Sequence, residues 1–411
     1  MFARGATKYF SRGFSQRRLA STKTIREALE EVVPRKQLQL KQLKTEHSQA
    51  VLGEVTVENV VGGMRGLKAM LWEASVLDPI EGIRFHGLAI PDCQKQLPAA
   101  PGGKEIIAES MFWLLLTGKV PTEAETRQLS RELAEKGDLP EYIEKLIDSL
   151  LARLPALAAR IYRNVYNPGK PIPAINKDLD LVGNYVNMLG FGDNHDLTEY
   201  MRLYIAIHGD HEGGNASAHT THLVGSTLAD PFISYSAALY ALAGPLHGLA
   251  NQEVLRWQMN MQKEIGDEIT HDKIKEFLWK TLKSGQVVPG YGHGVLRNPD
   301  PRFMALQQFC ESRPQLLDDR VIQLVRKTYE VAPAVLKEHG KTKNPYPNVD
   351  ATSGCVLYHY GLTQFKYYTV IFGVSRALGC LTQLVWARAL GLPIERPKSL
   401  SMDAIEKLIK N

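Results

Sequence analysis

The stretch VVPGYGHGVLRNPDPRF, Val287 to Phe303, sets His293 among Gly290, Gly292 and Gly294 and then brings Arg297 and Arg302 in quick succession. Glycines let a backbone approach closely, so N–H groups of this loop and Arg297 could hold a phosphate-bearing ligand; the plainer alternative is a flexible turn. It is not a dinucleotide fingerprint: Val295 stands where G-x-G-x-x-G needs its last glycine, and no G-x-x-x-x-G-K-[ST] occurs. In LAGPLHGLANQE, Gly244-Pro245 reads as a helix start that places His247 in the first turn. A helix N-terminus disfavours imidazolium, so His247 would stay neutral and donate a hydrogen bond to a carbonyl, or simply pack there. KNPYPNVDATSG ends a proline-broken loop on Asp350, with a helix expected from near Ala351. Asp350 is either a general base on a rigid turn or an ordinary N-cap, and the local sequence favours the cap. Arg302 follows Pro301, Arg376 interrupts the apolar GVSRALG, and Arg396 precedes Pro397. Arginine in such settings wants a partner, and its planar fork suits carboxylates, so either a polycarboxylate substrate or internal ion pairs would account for the three.

His208, His211, His219, His222, His247, His271 and His293 crowd the middle of the chain, and HGDHEGG and HTTH each space two histidines three apart. A metal site is disfavoured, because H-E-x-x-H is absent and Gly213 and Gly214 interrupt any helix there. No metal and no resident cofactor are expected.

With 411 residues and 44% hydrophobic content, the chain can bury a large core. Its formal charge of +5 sits mostly at the front, where Arg4, Lys8, Arg12, Arg17, Arg18 and Lys23 precede the first acid, Glu27. Arg-rich, Ser-bearing and acid-free composition reads as a mitochondrial transit peptide over residues 1–22. The remainder is near neutral and carries no nucleic-acid signal. Cys93, Cys310, Cys355 and Cys380 are widely spaced, form no C-x-x-C pair, and read as small buried hydrophobes. YYTVIFGVSRALGCLTQLVWARALG is interrupted by Arg376, Gln383 and Arg388 and makes a poor membrane span.

The elements that must position these groups are mainly helical. VLGEVTVENVVGGMRG and LDPIEGIRFHGLAI mix β-branched residues with Gly and Pro and suggest small strands or a hairpin near the start. Thr122 with Glu125 forms a capping-box pattern that opens EAETRQLSRELAEKG, closing at Gly137. PEYIEKLIDSLLARLPALAARIY has helical spacing, with a kink or break expected at Pro155. LTEYMRLYIAIHG and DKIKEFLWKTLKSG are amphipathic, and SYSAALYALAGPLHGLANQEVL is rich in small residues that let helices approach.

In order, HEGGNASAHTTHLVGS, GPLHGLANQEVL, VVPGYGHGVLR, KNPYPNVDATSG, FGVSRALG and PIERPKS resemble the citrate synthase family in its eukaryotic mitochondrial form, from about Thr24 onward. GIRFHG, IHGDHEGG, GHGVLRNPDPRF and VLYHYG are most similar to fungal-type 2-methylcitrate synthases, which accept propionyl-CoA as well as acetyl-CoA. The resemblance implies a mainly α, two-domain fold with a small N-terminal β element, acting as a homodimer in the mitochondrial matrix. The large domain would comprise residues 23–246 and 356–411, and a small domain, 247–355, would close over oxaloacetate. It further implies that His247 hydrogen-bonds the thioester carbonyl, Asp350 removes the α-proton, and His293 serves the oxaloacetate carbonyl. His211, Arg302 and Arg376 would meet carboxylates, with Arg396 reaching in from a partner subunit. Val288, Pro289, Gly290, Tyr291, Gly292, Arg297, Lys341 and Lys343 would lie near CoA, itself a substrate. One departure stands out: several dozen helical residues of the family have no counterpart between Leu150 and Leu151. A shortened, catalytically impaired homologue is therefore the alternative expectation.

Overall fold

The computed structural model describes residues 22–136 and 146–410. Residues 1–21 of the expected leader and the helix stop expected at Gly137 lie outside the described residues. In chain order the first elements are α1 (Ile25–Glu46), α2 (Val57–Val61), β1 (Ser75–Asp78), β2 (Gly82–Phe85), α3 (Ile90–Gln96), α4 (Ala108–Thr117) and α5 (Glu123–Lys136). There follow α6 (Leu146–Tyr166), α7 (Leu181–Leu189), α8 (His195–His208), α9 (Ala216–Ser226), α10 (Pro231–Leu242), α11 (Ala250–Ile265) and α12 (His271–Lys283). The chain continues through α13 (Pro301–Glu311), α14 (Pro314–Leu317), α15 (Arg320–His339), α16 (Asp350–His359), α17 (Tyr368–Ala389) and α18 (Met402–Lys410). The expected mainly helical fold with a small β element is what forms.

Local signals explain several of these boundaries. The capping box at α5 is made: Thr122 N donates to Glu125 Oε2 at 2.8 Å, and Glu125 N returns to Thr122 Oγ1 at 3.2 Å. The hairpin pairs β1 with β2 antiparallel, Ser75 opposite Phe85. The β-branched run at Val57–Val61, read as a possible strand, is instead α2. There Thr56 and Asn59 cap reciprocally, and this local pair of bonds outweighs β propensity where no strand lies alongside. Pro155 neither breaks nor ends α6, which runs through it to Tyr166. Burial of Leu151, Leu154, Ala158, Ala159 and Tyr162 along the helix offsets the roughly 3 kcal/mol that an interior proline costs. The junction at Leu150 and Leu151 falls inside this helix, with both side chains buried in the main core.

That core is built around α17, which packs against α4, α6, α8, α9 and α10. Phe365–Ala389 is long and apolar enough to cross a membrane, yet 89% of its apolar window is buried inside the protein, as befits a core helix. Gly379 on α17 makes room for the turn that follows α8: its N–H donates to Gly209 O at 3.0 Å, and a Cβ there would fall 2.4 Å from Asp210 Oδ1. A second apolar cluster joins α11, α12 and α15, through Met261, Phe277, Leu278, Leu324 and Val335. All four cysteines are free and buried.

Candidate active site

His293 is the most completely specified of the candidate residues. Its Nδ1 accepts hydrogen bonds from Val295 N and Leu296 N, each at 3.0 Å, so the ring proton resides on Nε2. Burial and the nearby Arg302 push its pKa down to about 4, leaving a neutral imidazole with one outward-facing donor. The ring stands edge-on to His211, centroids 5.3 Å apart. His211 is also held neutral, its pKa well below the ordinary value through burial and then Arg302, and its Nε2 is buried without a hydrogen-bond partner.

The glycine loop owes its conformation to the segment before α16. Asn348 N donates to Gly290 O at 2.9 Å, Gly292 N to Tyr346 O at 3.0 Å, and Asn348 Nδ2 to Gly292 O at 3.0 Å. Gly290 has φ +79°, and a Cβ on it would lie 2.8 Å from Ala351 Cα. The glycines thus bring the His293 loop against the start of α16, the helix that begins with Asp350. This is a packing role that the reading of a phosphate loop did not contain. Val288 is buried in the second apolar cluster and Tyr291 packs against it, while Pro289 is partly covered. Arg297, Lys341 and Lys343 are exposed, and Thr342, between the lysines, approaches Gly292.

Asp350 is not the N-cap favoured by local sequence. Val349 occupies the cap position without a side-chain bond, and Asp350 is the first residue of α16, its N–H donating to Asn348 Oδ1 at 3.0 Å. No hydrogen bond to the Asp350 carboxylate is made among the described residues. Burial raises its pKa to about 6 although Arg302 and Arg376 pull the other way. The carboxylate is half-buried, has no capping duty and holds a proton more tightly than a free one.

His247 also departs from expectation. α11 begins at Ala250, so His247 lies in the preceding turn, its N–H bonded to Gly244 O at 3.0 Å. The helix terminus it meets is that of α9: His247 Nε2 lies 2.8 Å from Ser217 Oγ and accepts from Ser217 N at 3.4 Å. That places the ring proton on Nδ1, and burial together with Arg376 lowers the pKa to about 4. His247 is held neutral by burial and Arg376 rather than by the start of its own helix.

The arginines divide. Arg302 is paired within the chain, its Nε and Nη2 gripping Asp300, with Nη2 2.7 Å from Oδ2. Asp300 also caps α13 through Arg302 N, and its pKa stays depressed by Arg302 despite burial. The bidentate edge is therefore spent on orientation, and Nη1 is what remains for a ligand. Arg376 is 2% exposed; its Nε donates to His208 O at 3.0 Å, and among the described residues it forms no ion pair. Burial lowers its pKa. A buried guanidinium without a carboxylate is expensive unless a ligand supplies one. Arg396 stands apart, exposed on the segment after α17.

Three features were not singled out from sequence. Phe372 lies beneath the site, its ring 4.8 Å from Arg376 Cζ and edge-on to His208 and His247. His208, pKa lowered to about 3 mainly by burial, stacks on Tyr204 and keeps Nε2 unpartnered. The hairpin braces both halves of the site. Ser75 Oγ donates to Asp210 Oδ2 at 2.6 Å and accepts from Glu212 N, while Pro79 O accepts from Arg297 N. Glu212, next to His211, has φ +62°, a strained backbone for a non-glycine residue. The histidine density was the only sequence signal for His208; nothing marked Phe372 or Ser75. Among the described residues no group of three or more His, Cys, Asp or Glu could hold a metal ion.

The chain matches the family model described as citrate synthase, C-terminal domain, over residues 63–151 and 143–398, two stretches that overlap at the α6 junction. It is 51% identical to a mitochondrial 2-methylcitrate synthase of Gibberella moniliformis, covering 94% of this chain and 92% of that one. It is likewise 51% identical to a mitochondrial citrate synthase of Neurospora crassa, covering 93% and 91%. The fold is similar to that of citrate synthase from Pyrobaculum aerophilum, with TM-score 0.70 at 23% identity, covering 84% of this chain and 92% of the other. It is equally similar, TM-score 0.70 at 19% identity, to the Thermoplasma acidophilum enzyme in complex with carboxymethyl coenzyme A and oxaloacetate, covering 84% and 96%. Ordered motifs, helical architecture and overall similarity converge, and the chain belongs to the citrate synthase family.

Proposed function

We propose that this protein condenses an acyl-CoA, acetyl or propionyl, with oxaloacetate and water, releasing CoA and citrate or 2-methylcitrate. The observation that carries this reading is that two neutral imidazoles and one carboxylate of raised pKa all feel Arg302 or Arg376, the latter buried and in no ion pair among the described residues. His247 Nδ1–H donates to the thioester carbonyl as Asp350 takes the α-proton, so charge develops where a donor already points. The resulting enol or enolate carbon bonds to the oxaloacetate ketone carbon, and His293 Nε2–H passes its proton to the new alkoxide. Two backbone N–H groups on His293 Nδ1 offset the electron density left on that ring. Water then cleaves the thioester. Arg376, Arg302 Nη1 and His211 orient the oxaloacetate carboxylates, while Arg297, Lys341 and Lys343 suit the phosphates of CoA.

The separate apolar cluster of α11, α12 and α15 supports a small domain at 247–355 that closes on the ligands and excludes water. Exposed Leu223, Leu228, Ile233 and Tyr240 on α9, α10 and their connection support a homodimer, with Arg396 serving the neighbouring copy. The basic leader and the mitochondrial names of the relatives support residence in the matrix, and the branch of relatives named 2-methylcitrate synthase supports a place in propionate metabolism. The buried junction at Leu150 and Leu151 favours an intact enzyme over an impaired one. Purified protein given oxaloacetate and either acyl-CoA should release free thiol, and kcat/KM for the two thioesters decides the branch. A folded protein that releases none would overturn the reading.

A further inference from the structure

Arg396 is exposed and, among the described residues, has no hydrogen bond or ion pair with another candidate residue, yet the residue before it is anchored. Glu395 is gripped from one face of α9. Glu395 N donates to Ser226 Oγ at 3.1 Å and His219 Nε2 bonds Oε2 at 3.3 Å, while His222 Nε2 lies 2.9 Å from Oε1 without making a hydrogen bond. His219, His222 and Ser226 are spaced three and four apart, the spacing that aligns side chains along one side of a helix. Trp72 closes over His222 edge-on, ring centroids 6.4 Å apart. The surrounding segment has no secondary structure, and Ile394, Arg396, Pro397 and Lys398 are all exposed, so Glu395 is its anchor to α9. Pro397 further restricts Arg396 to extended backbone. The backbone of Arg396 is thus held by the residue before it and restricted by the residue after it.

α9 is also the helix whose first turn holds His247 through Ser217. One short rigid element therefore carries the partner of a candidate catalytic histidine at its start and the grip on Glu395 further along. We propose that Glu395, with His219 and His222, is a positioning residue: it sets where the Arg396 guanidinium enters a substrate carboxylate site. This rests on the reading of Arg396 as a ligand of oxaloacetate or product in a neighbouring copy.

The test is a double-mutant cycle on the full chain, with E395A, R396A and E395A/R396A compared by steady-state kinetics, thermal melting and sedimentation. E395A should raise the oxaloacetate KM about tenfold, equivalent to about 1.4 kcal/mol. It should leave the acyl-CoA KM, the melting temperature and the oligomeric state close to the parent's. The double variant should be no worse than R396A, because both changes remove one interaction. E395Q, which keeps one acceptor oxygen for an imidazole, should recover part of the loss. Additive effects of E395A and R396A would overturn the positioning role, as would a defect shared equally by both substrates and accompanied by a lower melting temperature. An unchanged oxaloacetate KM in R396A would instead overturn the reading of Arg396 itself, and the inference with it.

Discussion

A carboxylate whose native pKa is raised from 3.8 to about 6 affects both rate and stability, in opposite directions. As a base, Asp350 must be ionised, so kcat/KM should climb with pH through about 6 and then level off. His247 and His293, with pKa values of about 4, stay neutral across that rise and add no further inflection. The sign for stability follows from linkage: the native state binds the Asp350 proton more tightly than the unfolded chain does. Stability contributed by this group is present below pH 3.8 and is lost as pH rises to about 6. Removing the charge should therefore help at neutral pH. Asp350→Asn should abolish turnover yet raise stability at pH 7.5 by up to about 3 kcal/mol, with the gap closing below pH 4. Thermal melts at the two pH values, beside thiol-release rates, check both halves, and near-normal turnover in a stable variant would refute the role of base.

At the scale of elements, the site depends on backbone segments that are tied to one another more than on any single helix. The His293 loop is bonded to residues 346–348, those residues lead into α16, and the hairpin links the turn after α8 to Arg297. Gly290→Ala puts a methyl 2.8 Å from Ala351 Cα at φ +79°, so loop and helix must part. A loss of about 1–3 kcal/mol of stability is expected, together with a much larger fall in kcat, because His293 and Asp350 sit on the two separated sides. Ser75→Ala tests the hairpin in the same way. It removes the hydroxyl joining Asp210 to Glu212, and it should weaken oxaloacetate binding through the intervening His211, measured as a raised KM, while acyl-CoA binding holds.

For the whole molecule, the outward faces of α9 and α10 carry the consequence. Ile233 is 58% exposed and Tyr240 84%, large apolar side chains facing water on a helix whose other side packs on α9 and α17. If a second copy covers them, Tyr240→Glu should shift the protein to monomer in sedimentation. Activity should be lost with the dimer, since Arg396 would have no neighbouring site to serve. A monomeric variant with full activity would exclude a contribution from the partner subunit.

The helical class, the capping box at Thr122, the buried cysteines and the family are legible in the sequence, because they arise from composition, short-range bonds or ordered motifs. Local sequence misplaced the partners of those residues. Asp350 looks like a cap, but Val349 takes the cap position and burial decides the proton affinity of the carboxylate. His247 looks like part of its own helix, but burial and Arg376 keep it neutral and Ser217 of α9, thirty residues away, holds its ring. Arg302 and Arg376 look alike in sequence, yet one is paired with Asp300 and the other is buried with no ion pair among the described residues. Residue types and nearest neighbours announce which groups can do chemistry; protonation state, pairing and direction depend on low-dielectric surroundings and on contacts distant in sequence, and only the packed fold supplies those.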